Sequence, residues 1–224
     1  MGQVTTGCEH LTQLFNAPRV KVNNLTVISV LDDSYLLNRL LESIPPAQIH
    51  AKSFVYKGPS RENVVELLSF FNPEELEYVH LECHPGNMPV MGNNFLNIPQ
   101  IQQAKRVCIL SFSVITIDDV IGKLSHLVAF TCTLATISAD DVLGIRNVLS
   151  ASPVFQNCYI NVAIDLPLTM DIGVALGAFL PEDEEGVAFD RIVHSYPIPH
   201  TEDEHLQFKI GENAISIRKL RQNL

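Results

Sequence analysis

The chain has 224 residues, of which 46% are hydrophobic and 18% charged. That length can bury a substantial core, and the composition is far from that of a disordered chain. A net charge of −10 with a pI near 5.2 argues against nucleic-acid binding, which needs a basic face.

The chain opens on "MGQVTTGC", which fits the myristoylation pattern M-G-x-x-x-[ST] at Gly2, with Cys8 as a second acylation position. Few basic residues follow, and a single acyl chain anchors only marginally. The expectation is a flexible tail over residues 1–18 and one repeat domain over 19–224. No continuous apolar signal region and no membrane-length apolar run is present. The five cysteines (Cys8, Cys83, Cys108, Cys132 and Cys158) are widely spaced, with no CxxC pair. That pattern speaks against a zinc ribbon or redox motif and leads us to expect a reducing, cytoplasmic setting.

From residue 20 a pattern recurs, apolar-x-x-apolar-x-apolar. Its anchors are Val22, Leu25, Val27; Ala51, Phe54, Tyr56; Leu76, Val79, Leu81; Ala104, Val107, Ile109; Leu127, Phe130, Cys132; and Phe155, Cys158, Ile160. The last anchors lie 29, 25, 28, 23 and 28 residues apart, in or near the leucine-rich-repeat range. Alternation sends the second and third anchors to one strand face, which a following helix covers. A unit that cannot bury its apolar side alone stacks on its neighbours. The spacing therefore predicts an α/β, leucine-rich-repeat-like strand–helix solenoid. A doubly wound α/β sheet is the competing architecture. A single register throughout and the lack of a Gly-rich phosphate loop favour the solenoid.

Helices are predicted between the strands at 32–44, 60–71, 116–124 and 138–149. Residues 64, 67, 68 and 71 form one apolar face of the second. The last two open S/T-x-x-D, which offers Thr116 with Asp119 and Ser138 with Asp141 as capping pairs. Residues 84–103 replace a full helix with a Gly/Pro/Asn loop and a short turn.

Past residue 190 the period changes to two in "IVHSYPI", "HLQFKI" and "ENAISIRKL", which predicts an antiparallel meander closing the solenoid's open end. Pro197 and Pro199 end its first strand or confine it to an edge. The stretch "HSYPIPHTEDEHLQFKI" holds His194, His200 and His205, three of eight histidines. Spacing assigns Leu206, Phe208 and Ile210 to a buried strand face, and His200 and His205 to an exposed turn. The acidic runs "PEDEEG" and "TEDE" read as solvated turns.

The segments "VVELLSFFNPEELEYVHLE", "IPQIQQAKRVCIL", "ISADDVLGIRNVLSASPVFQNCYI" and "YPIPHTEDEHLQFKIGENAISIRKL" together resemble the FTH domain, the C-terminal region of many nematode F-box proteins. The resemblance extends over roughly residues 20–220. Two departures stand out: Gln103-Ala104-Lys105 lacks the family's frequent tryptophan, and the residues before the first strand are fewer than an F-box needs. The resemblance implies a non-catalytic protein-recognition domain with no cofactor, and without a recognisable F-box the chain reads as either a fragment or a stand-alone relative. Its partners would be proteins, with an indirect link to ubiquitin-ligase machinery.

Catalytic constellations are sparse. "HLECH" groups His80, Cys83 and His84, and a Cys/His-dependent hydrolase or metal-binding protein centred there is the alternative reading. Strand alternation sends His80 and Cys83 to opposite faces, and zinc would need a fourth ligand. No G-x-S-x-G elbow occurs, and Asp118–Asp119 and Asp140–Asp141 read as first-turn helix residues. A partner surface is predicted on the sheet face opposite the helices: Ile28, Val55, Lys57, His80, Glu82, Leu110, Thr131, Tyr159 and Asn161, with Thr26, Cys108 and Thr133 beside them. A bare solvent-facing sheet, or one covered by "MDIGVALGAFL", is the competing expectation.

Overall fold

The computed structural model describes residue 13 and residues 21–28, 45, 47–58, 62–83, 93–110, 115–163, 169–178 and 192–221. The fold is mixed α/β with nine strands among these residues, and the chain divides into two compact units, Met1–Ser113 and Val114–Leu224. The sequence expectations for the tail with Gly2, the helix at 32–44, the loop at 84–92 and the run "PEDEEG" fall outside the described residues.

In the first unit β1 (Lys21–Ile28), β2 (His50–Gly58), α1 (Glu62–Ser69), β3 (Tyr78–Cys83), α2 (Pro99–Gln102) and β4 (Arg106–Leu110) follow in order, with a 3-10 turn at Asn93–Asn97 before α2. The strands are parallel and lie side by side in chain order. The sequence anchors meet across them. Leu25, Phe54, Val79 and Val107 pair in one row, and Val27, Tyr56, Leu81 and Ile109 in the next. In β2, β3 and β4 every one of these anchors is buried. Burying a side chain of this size stabilises the fold by about 1.5–3 kcal/mol.

Helix α1 covers that face with Val64, Leu67 and Leu68, and Phe71 just beyond it, all buried as the spacing predicts. The Phe71 ring lies 4.6 Å from the Phe54 ring. Buried Gln100 of α2 donates from Nε2 to the Phe71 carbonyl at 2.9 Å, satisfying an acceptor left open where α1 ends. Sequence alone placed a short turn here, and the 3-10 turn with the four-residue α2 is that turn.

The second unit runs α3 (Ile117–Asp119), β5 (Ala129–Leu134), α4 (Ala139–Ala151), β6 (Asn157–Val162), α5 (Thr169–Leu176), β7 (Ile192–Pro197), β8 (Glu204–Ile210) and β9 (Ala214–Arg221). Its strand order is β5-β6-β9-β8-β7. β5 and β6 are parallel, and the other pairs are antiparallel. Both capping boxes form. Thr116 and Asp119 exchange bonds at the start of α3, as do Ser138 and Asp141 at the start of α4. Asp118, Asp119, Asp140 and Asp141 all stand in first turns, where the helix dipole favours acid. After one turn α3 widens into a π-turn at Val120–Leu124, so the predicted helix at 116–124 is not α throughout. In α4, a side chain at Gly144 would put its Cβ 3.3 Å from Ile121, so the π-turn packs closely against the glycine.

The meander corrects three expectations. It does not close the sheet: β9 joins β6 edge-on, and the order ends at β7. As expected, strand β7 stops at Pro197, which has no amide hydrogen to donate to a further strand. His205 lies in β8, paired with Pro197 and Leu220, rather than in the turn. The Ile198 amide bonds the Glu204 carbonyl at 3.0 Å, closing the connection before His205. Glu204 leaves the acidic turn as well, bonding Lys219 at 3.0 Å and Arg221 at 3.0 Å. His200 stays in the exposed turn, at φ 66°. Leu206, Phe208 and Ile210 are buried as expected. The described part of "MDIGVALGAFL" packs with α4 and β7.

Candidate functional site

Alternation along each strand leaves one face to the buried anchors and presents the other residues on the opposite, open face. In the first unit the parallel register arranges the open face in rows. Asn24, Ser53, Tyr78 and Arg106 form one row; Thr26, Val55, His80 and Cys108 the second; Ile28, Lys57, Glu82 and Leu110 the third. Six of the predicted surface residues (Ile28, Val55, Lys57, His80, Glu82 and Leu110) therefore fall into two adjacent rows.

The middle of this face is a connected polar ladder. The Tyr78 hydroxyl lies 3.2 Å from His80 Nδ1, and His80 Nε2 lies 3.3 Å from Glu82 Oε2. Lys57 Nζ reaches the same Oε2 at 2.7 Å. A carboxylate only accepts, so Nε2 carries the hydrogen, and in the neutral ring Nδ1 accepts from the tyrosine. The Lys57 bond, then the His80 bond, holds the Glu82 carboxyl below the usual carboxylate range. Reciprocally, Glu82 pushes the Lys57 ammonium up. Burial raises the Tyr78 phenol. His80 is largely enclosed, with 15% of its side chain accessible, whereas Lys57 keeps 41%. Ile28, 66% exposed, and half-buried Val55 and Leu110 border the ladder.

The second unit has its own open face. Its rows are Ala129, Asn157, Arg218, Gln207 and Ser195; Thr131, Tyr159, Ser216, Lys209 and Val193; and Thr133, Asn161 and Ala214. The predicted Thr131, Tyr159 and Asn161 lie here, with Tyr159 44% exposed and Val193 56%.

Sequence reasoning passed over Tyr78, Arg106, Lys209, Arg218 and Ser216. The signal was present, because each sits in alternation with a buried anchor. Extending period two one step before His80 and before Cys108, and through β8 and β9, reaches them all. These rows also share a charge bias. Among the twenty-five acidic residues of the chain, only Glu82 appears in the rows of the first unit and none in those of the second.

Among the described residues, no group of three or more His, Cys, Asp and Glu side chains is placed to hold a metal ion. The alternative centre depends on His84 and the Cys83 side chain, which lie outside the described residues. The position beside His80 on the next strand is Cys108. No helix among the described residues is long and apolar enough to cross a membrane.

Residues 35–171, more than half of the chain, match the family model described as FTH domain. The meander strands lie beyond this match. No curated protein and no solved structure matches the chain.

Proposed function

Since the chain belongs to the FTH domain family, we propose that it is a non-catalytic protein–protein interaction module whose open sheet faces bind a partner protein. Members of this family are F-box-associated, and in that setting such a domain recruits target proteins to ubiquitin-ligase machinery. The same role in the cytoplasm, requiring no cofactor, is our reading of this chain. In that reading the strand–helix units stack as in a leucine-rich-like solenoid, which the matched rows of anchors support.

The observation that carries the proposal is the make-up of the open faces. A surface whose only role is to meet solvent is free to carry the acid that is abundant elsewhere in this chain. These rows instead combine apolar Ile28, Val55, Leu110, Tyr159 and Val193 with hydrogen-bonding groups and cations. Depletion of acidic residues beside aromatic and apolar ones is the pattern of an interface centre. The ladder from Tyr78 to Lys57 is already hydrogen-bonded, so less ordering cost falls on binding.

The test replaces Val55, His80, Glu82 and Tyr159 together by alanine and measures affinity for a purified partner retained by the native chain. Loss of binding with an unchanged circular dichroism spectrum is the expected result. Full retention moves the interface off these faces.

A further inference from the structure

The second unit carries a depression of about 590 Å³, where the loop before β6 meets the end of β9 and the start of β8. Three cations, Arg218, Lys219 and Arg221, line it against one carboxylate, Glu204, in a chain whose net charge is −10. This local excess of positive charge runs against the whole molecule and focuses attraction for anions there.

Glu204 satisfies only part of that charge. Its two oxygens take Lys219 Nζ and Arg221 Nε, each at 3.0 Å. Lys219 is further tied to the Ser152 carbonyl at 3.4 Å, so it braces the wall from within. Arg221 is bonded through Nε while its side chain stays 79% accessible. Arg218 is exposed and forms no ion pair among the described residues. Asn157 is the register partner of Arg218, Gln156 precedes it, both are exposed, and Val154, 48% exposed, supplies an apolar wall.

We propose that this depression is a second binding site, which takes an acidic segment of a partner protein through a carboxylate on Arg218 and an adjoining apolar side chain on Val154. Guanidinium groups match a planar carboxylate in two-point geometry, and the side-chain amides of Gln156 and Asn157 can both donate and accept towards a peptide backbone. The inference rests on the interaction reading in taking the ligand to be a protein segment, and the site shares Arg218 and Asn157 with the second unit's open face. It makes no use of the ladder on β3.

The test is fluorescence anisotropy on the intact chain at low salt, with a labelled peptide of alternating Glu and Leu and a counterpart of alternating Gln and Leu. The acidic peptide binds, and the Gln counterpart binds about tenfold more weakly or worse, as expected when charge-assisted bonds are lost. Arg218→Glu weakens the acidic peptide by about tenfold or more, and Arg218→Lys by less. Lys57→Glu, which alters the first unit's open face, leaves peptide binding unchanged, so failure at this site is distinguishable from failure of the interaction surface there. In magnetic resonance spectra the side-chain amides of Gln156 and Asn157 shift on titration, a readout that also serves if a variant misfolds. Equal affinity for both peptides, no binding to the native chain, or an affinity indifferent to Arg218→Glu overturns the proposal. Displacement of the acidic peptide by inorganic phosphate at comparable concentration also overturns it, by identifying a phosphate site instead.

Discussion

Lys57 Nζ and Glu82 Oε2 meet at 2.7 Å across adjacent parallel strands, at a shared register position. The pair neutralises the one carboxylate in the described rows of that open face, and through Glu82 it also anchors His80. The charge in those rows that makes no ion pair among the described residues is Arg106, so the surface favours a neutral or acidic partner.

Glu82→Gln tests this pair. Lys57 loses the main cause of its elevation, and its ammonium titrates closer to the ordinary lysine range. Exposed ion pairs add little to stability, so the melting temperature stays near that of the native chain. Affinity for the partner falls by about tenfold, as when one central polar contact is removed. Lysine side-chain titration by magnetic resonance and calorimetric binding check both halves.

Glu204 provides a pH test. The bond from Lys219, then that from Arg221, holds its carboxyl below the usual range. A group whose folded pKa is depressed contributes stability above its unfolded value, about 4.3 for glutamate, and loses it as pH falls through the folded value. Melting temperature recorded from neutral pH down into the acid range should fall more steeply in the native chain than in Glu204→Gln. Parallel curves would mean that the pair with Lys219 does not couple to folding.

Helix α4 depends on its cap. The Asp141 amide donates to Ser138 Oγ at 3.2 Å, and Asp141 Oδ2 accepts from the Ser138 amide at 2.8 Å. Ser138→Ala is expected to cost about 1 kcal/mol in denaturant unfolding. Ser138→Asp retains a capping acceptor and should lose less.

In the first unit's core, Phe54→Ala removes a fully buried ring that packs on Phe71. The cavity and lost transfer energy together should cost about 3–5 kcal/mol, seen as a shifted denaturation midpoint. The same substitution at Val193, which is exposed, should fall within about 0.5 kcal/mol of native.

Of the five cysteines, Cys108, Cys132 and Cys158 should react in a set order among themselves. Cys132 and Cys158 are buried, and burial pushes the Cys158 thiol well up, which disfavours the reactive thiolate. Cys108 is half-buried on the open face. Native-state alkylation followed by mass spectrometry should modify Cys108 before either of the others.

Much of this was legible in the residues. Apolar spacing identified the buried anchors from Ala51 to Ile160, because a parallel strand under a helix cover must repeat its apolar pattern. The same alternation located His80 and Glu82 on the opposite face. Local pattern could not show which strand receives the meander, since pairing of β9 with β6 is a long-range choice. Placing Glu204 and His205 in a turn followed from their polarity. Their position in β8 depends on Lys219 and Arg221 in the next strand and on a connection that closes at Ile198. Tyr78 stands one period-two step before His80, and its hydroxyl joins the surface through the bond to His80.

The central claim is that the open face around the ladder binds a partner protein. Its most direct test is the dissociation constant of a purified partner for the native chain, His80→Ala, Glu82→Gln and Val55→Asp, each verified as folded. Substitution at all three positions should weaken binding, with Val55→Asp the most damaging because it places a second carboxylate at the centre of the face. Affinities that match the native chain for all three would contradict the account.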